Sequence, residues 1–155
     1  MARIKDNLWN RYKYKINGFL LILPFYFFYQ SLTPEFPDAW ETKKVDEFEV
    51  TPMPYNLKQP YLHHGSYTKD FMLTFSGGDI DNIRQAYLNI GKEALPLATL
   101  QTDDKGILHG SKYGQEVHAI SGNKLKAEDK VWLTIERWTG QQTITSWDLP
   151  TIFLK

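Results

Sequence analysis

VWLTIERWTGQQTITSW, residues Val131–Trp147, decides the fold, because its polarity alternates with a period of two. Val131, Leu133 and Ile135 alternate with Trp132, Thr134 and Glu136, so the aliphatic set shares one face of an extended strand. Thr139-Gly140 supplies a turn, and Gln142–Trp147 reads as the returning strand of a hairpin. Upstream, Phe71, Leu73 and Phe75 alternate with Met72 and Thr74, and Gly77-Gly78 ends that strand. Asp104-Lys105-Gly106 and Ser121-Gly122-Asn123 mark further turns. Strands of this length at this spacing predict an all-β fold, an antiparallel immunoglobulin-like β-sandwich.

Asp79–Gly91 admits two readings. Ile80, Ile83, Tyr87 and Ile90 fit one helical face with Asp79 as N-cap, whereas Ala86, Leu88 and Ile90 fit the inward face of a strand. The surrounding sheet favours the strand. Before it, Pro34, Pro37, Pro52, Pro54 and Pro60 forbid a long helix and favour extended backbone. Val45–Val50 within that region predicts a first strand at a sheet edge, with Phe48 and Val50 on one face and Glu47 and Glu49 on the other.

Ahead of the prolines lies INGFLLILPFYFFYQSL, Ile16–Leu32, which carries no formal charge. With the flanking Tyr12, Tyr14 and Thr33 it is about long enough for one bilayer-crossing helix. Arg3, Lys5, Arg11, Lys13 and Lys15 precede it against the single acid Asp6, and such a basic flank stays cytoplasmic. No small-x-small pair follows as a cleavage site would require, so the segment reads as a retained anchor. The expected organisation is a cytoplasmic basic tail over 1–15, a transmembrane anchor over 16–33, a stalk over 34–42 and an outward-facing β-sandwich domain over 43–155. That places the protein in the inner membrane, single-pass, touching the lipid bilayer through residues 16–33, with its C-terminal domain on the periplasmic side.

The formal net charge of zero hides an asymmetry: residues 1–34 hold five basic residues and one acid, while residues 35–155 hold thirteen and seventeen. An acidic outer domain lacks the basic footprint that nucleic acid demands, so that class of partner is excluded. Cysteine is absent, which removes disulfides, thiolate ligands and thiol chemistry, and leaves the fold to its own core.

The chemistry of the chain rests on its four histidines. His63 and His64 stand between Leu62 and Gly65, His109 sits in Leu108-His109-Gly110, and His118 in Val117-His118-Ala119. Imidazole suits copper, zinc, nickel and iron. Spacing alone gives no support, since H-x-x-x-H and H-E-x-x-H are both missing, so the histidines must converge in space. Neighbouring side chains on a strand point to opposite faces, so His63 and His64 can share an ion only across a turn, which Gly65 permits. Met53 and Met72 would favour Cu(I) if either approached the histidines, although packing is the simpler reading of both.

No acid–base constellation supports an enzyme. Asp103, His109 and Ser111 lie close in sequence only as a turn-rich loop would place them, and Ser76–Asn82 reads as an Asx-capped turn rather than a calcium loop. Trp132 either faces outward or lies beneath a second layer. In architecture alone, a basic tail, one span and a compact sandwich resemble accessory proteins of copper-oxidase assembly, and no residue role is carried over from them. The function expected is a membrane-anchored periplasmic accessory protein, not an enzyme, partnered by an inner-membrane protein complex. It binds a metal through His63, His64, His109 and His118, with copper foremost and no other cofactor. The rival is a structural or assembly subunit without a ligand. Neutral imidazole binds and protonation releases, so affinity is expected to fall as pH drops through about 6.5.

Overall fold

The computed structural model describes residues 7–33, 35–103 and 105–154. Arg3, Lys5 and Asp6 of the basic tail, together with Pro34 and Asp104, lie outside the described residues. The chain divides into two compact units, one ending at Glu35 and the other beginning at Phe36.

The first unit is one helix, α1 (Leu8–Leu32). Asn7 caps it, its Oδ1 accepting from the Asn10 amide at 2.9 Å, and Pro24 lies inside. No α1 residue is buried; Phe19, Leu21, Phe25 and Phe28 are among many exposed apolar side chains. The expectation for 16–33 is thus met as to helix, with Thr33 as C-cap, but not as to span. No helix among the described residues is long and apolar enough to cross a membrane. Lys13, Lys15, Asn17, Pro24, Gln30 and the tyrosines dilute the apolar run.

The second unit is all-β, but it is not an immunoglobulin-like sandwich. Among the described residues nine strands form a single sheet: β1 (Lys43–Val45), β2 (Phe48–Pro54), β3 (Tyr61–His63), β4 (Ser66–Gly77), β5 (Ile83–Gly91), β6 (His109–Ser111), β7 (Gly114–Ser121), β8 (Lys130–Arg137) and β9 (Gln142–Asp148). Its order is β1-β2-β4-β7-β5-β8-β9, with β3 added to β4 and β6 to β7. The sheet curls until its ends meet as a nearly closed barrel, where Lys43 Nζ, on β1, donates to the Ser146 carbonyl of β9 at 2.7 Å. One pairing is parallel, between β5 and β7 at Asn89 and Ile120, a departure from the purely antiparallel expectation. The remainder of that β5 edge is served by Gly106–Leu108: Leu88 N–H donates to Gly106 O at 2.7 Å and Leu108 N–H to Ala86 O at 2.8 Å.

Inside the curl, alternation fills the core as expected. Phe71 and Leu73 of β4, Leu88 of β5 and Val131, Leu133 and Ile135 of β8 are all buried. The strand reading of Asp79–Gly91 holds from Ile83 onward, and Asp79 caps only a short 3-10 turn, Ile80–Asn82, through a 3.1 Å bond to the Asp81 amide. The expected single strand Val45–Val50 instead breaks into β1 and β2. Asp46 takes the left-handed conformation (φ 60°), which aspartate tolerates, and Arg137 clamps the turn through Asp46 at 2.6 Å and Glu47 at 3.2 Å. Helix α2 (Leu97–Asp103), too short to announce itself by periodicity, buries Leu100. Its Gln101 donates to Glu136 Oε2 at 3.1 Å and reaches Gln85 at 3.3 Å, so it covers the outer face of β5 and β8. Buried Tyr87, Asn89, Thr134 and Glu136 on that face follow from the cover. Trp132 belongs to the same face, part-buried, its indole donating to Gly91 O at 2.9 Å.

Candidate functional site

Two residues, His64 and Gly65, join β3 to β4, with His63 paired to Ser66. Both have positive φ, 45° and 78°, the backbone that a two-residue hairpin of right-handed twist requires. Glycine adopts it freely; histidine does so against a Cβ clash, so His64 holds a position that asparagine would fill at lower cost. The turn swings His64 back over His63, the two rings standing 4.2 Å apart, edge to face. His64→Asn is expected to raise stability by about 0.5 kcal/mol, read as a higher urea midpoint; an unchanged or lower midpoint would show that the imidazole itself stabilises the turn.

Sheet register brings in the other two histidines. Asp70 of β4 pairs with His118 of β7, and Glu116, two residues along β7, pairs with His109 of β6. Val117 and Ala119 point into the core, so His118 and Glu116 point outward. The His118 ring lies 4.9 Å from that of His63 and 5.9 Å from that of His109. All four histidines thus line one outer-face pocket of about 350 Å³, together with Thr68 and Lys105 among others.

Hydrogen bonds orient two of the rings, His118 closely and His109 more loosely. His118 Nδ1 lies 2.7 Å from Asp70 Oδ1. An ionised carboxylate only accepts, so Nδ1 carries the proton and the Nε2 lone pair is free. The Tyr61 hydroxyl donates to both Asp70 oxygens, each at 3.0 Å, and orients the carboxylate. Burial pushes the Tyr61 phenol above its ordinary value, and the hydrogen bond and charge of Asp70 push it further. His109 Nδ1 faces the Ile107 carbonyl at 3.4 Å, which again leaves Nε2 free. An outer partner on Nδ1 is the arrangement that prepares a histidine to bind metal through its other nitrogen.

The structure therefore brings together all four residues expected from sequence, and adds Asp70 and Tyr61, which sequence reading missed. The only signal for Asp70 was its place in a strand otherwise read for its apolar face. The rings are gathered but not locked: among the described residues no three His, Asp or Glu side chains already converge as a cage for an ion. The exposed rings of His64 and His109 would have to turn to complete one. Ser111 does not line this pocket.

The family model described as "Uncharacterised conserved protein UCP029505" matches residues 8–150, which include α1 and all four histidines. No curated protein and no solved structure matches the chain.

Proposed function

We propose that this chain, which belongs to the family of uncharacterised conserved proteins UCP029505, is a membrane-anchored, outward-facing accessory protein that binds a transition-metal ion, copper foremost, through His63, His64, His109 and His118. One observation carries the reading: the chain has four histidines, and all four line the same pocket, although 55 positions separate the first from the last. Imidazoles that served only as surface polar groups would be scattered over the domain. The preset tautomer at His118 favours metal binding, since it offers an unprotonated Nε2 toward ions that accept nitrogen ligands. Turning two exposed rings costs about 0.5–1.5 kcal/mol each in lost rotamer freedom, little against two nitrogen bonds.

The anchor is α1. Although α1 falls short of the apolarity of a full span, its 25 residues bury nothing and expose Phe19, Leu20, Leu21, Phe25 and Phe28, apolar surface that a bilayer would cover. The aromatic rings at its ends, Trp9 and Tyr12 at one and Tyr29 at the other, suit the headgroup layers, and proline inside it is tolerated there.

The test is titration of the full-length chain in detergent with Cu(II) and Zn(II), beside a variant with alanine at all four histidines. Stoichiometric binding that disappears in the variant is expected. Equal, weak binding by both proteins would end the metal reading. The second reading would then stand, a ligand-free assembly subunit docking through its apolar groove of about 370 Å³, where Phe36, Leu57 and Ile152 are exposed.

A further inference from the structure

The proposed imidazole site leaves unexplained the methionines of the barrel. Apart from Met1, which lies outside the described residues, the chain has two, Met53 and Met72. They are direct cross-strand partners on β2 and β4, a relation that brings side chains within about 5 Å at their Cβ atoms. Neither belongs to the core: Phe71 and Leu73 occupy the inward positions of β4, so Met72 faces outward and Met53 with it. That is the face of Asp70 and His118. Met72 pairs on its other side with Glu116, and Glu116 pairs with His109, so one row across the sheet reads Met53, Met72, Glu116, His109. His118 stands diagonally from Met72, two residues along β7 from Glu116.

We propose that Met53 and Met72 form a thioether site for copper in its reduced state, Cu(I), adjoining the histidine cluster. The inference rests on the metal reading above and extends it to a second oxidation state. Thioether sulfur is soft and neutral, and among biological ligands it selects Cu(I) over harder ions. Surface packing alone would be served as well by leucine, and a half-buried methionine pair among carboxylates and imidazoles is a poor use of that side chain otherwise. The position is also electrically suited to a cation. Glu116 stands directly across from Met72, and Asp70 lies two residues along β4 on the same outer face, so two carboxylates flank the pair. The Met72 sulfur lies over Gly114, where even an added Cβ would stop 3.5 Å short of it, so no side chain at that position screens it.

The experiment is anaerobic titration of the full-length chain in detergent with Cu(I), buffered by a chromophoric Cu(I) chelator. Wild type is compared with Met53→Leu/Met72→Leu and with the four-histidine alanine variant, and Cu(II) is titrated in parallel. Leucine nearly conserves methionine's volume, so the double variant should keep its fold. Its Cu(I) affinity should fall by more than about a hundredfold, since removing both ligands costs more than the roughly 10–100-fold of losing an outer partner, with Cu(II) affinity unmoved. Unchanged Cu(I) affinity with intact Cu(II) binding would overturn the thioether site and leave the histidine reading standing. Absence of both ions from wild type would remove both readings. Should the double variant fail to fold, X-ray absorption of Cu(I)-loaded wild type decides: sulfur in the first coordination shell supports the site, and nitrogen or oxygen alone overturns it.

Discussion

Lys69→Met should cost the fold about 2–4 kcal/mol, because the ammonium it removes ties two main-chain carbonyls that would be left without donors. Lys69 alternates with Phe71 and Leu73 on the inward face of β4 and is only 2% exposed. Its Nζ donates to Lys58 O at 2.7 Å and Asn56 O at 2.9 Å, and sits 4.8 Å from the centre of the Phe153 ring. One side chain thus pins the loop after β2 and the C-terminal 3-10 turn (Thr151–Leu154) to the same end of the barrel. Burial of the charge works against this and lowers the ammonium from 10.5 to about 8, with Asp70 opposing the shift. The folded protein therefore releases this proton near pH 8, while the unfolded chain keeps it until 10.5. The unfolded state binds more protons across that window, so stability rises with pH from about 8 to 10.5. Urea unfolding followed by tryptophan fluorescence should show that rise in wild type and a flatter profile in Lys69→Met. A variant as stable as wild type would mean that methionine packing offsets the lost bonds, as happens when some buried ions are replaced by apolar residues.

Asp70→Asn should weaken copper binding by about 10- to 100-fold without removing any ligand, the scale on which outer partners act at metal sites. The carboxylate accepts from His118 Nδ1 at 2.7 Å, which holds the ring so that Nε2 faces the pocket. An asparagine can present its amide N–H to that ring instead and so stabilise the opposite tautomer, with Nε2 protonated and closed to metal. His118→Ala should lose more, and combining the two should add little, because Asp70 acts through His118. Additive losses would make Asp70 a ligand in its own right. The Tyr61 phenol gives an independent readout. Its raised value owes part of the shift to Asp70, so its ultraviolet titration should move down in Asp70→Asn even with no metal added.

Most of the strands were legible because each carries its own evidence. Phe71–Phe75 and Val131–Ile135 alternate strictly, and Gly77-Gly78 and Thr139-Gly140 end their strands with residues suited to the turn. Asp46 was not legible: a single residue at positive φ inside an alternating run leaves the hydrophobic pattern intact while reversing the chain. Helix α2 escaped for a related reason, since seven residues make too few turns to display a period.

By itself, then, the sequence determined the all-β class, the long N-terminal helix with its basic flank, and the four histidines as the chain's candidate ligands. These are local properties: periodicity, charge and residue type. Tertiary structure alone decided that the strands curl into one sheet rather than facing each other as two, because strand order depends on pairings between distant segments. It also decided the site. Asp70 meets His118 across 48 positions through the β4–β7 register, and a slip of one residue in that pairing would turn one of the two away from the other. Which nitrogen of His118 is free, and which methionine stands beside which, follow from that register, and no spacing within the chain encodes it.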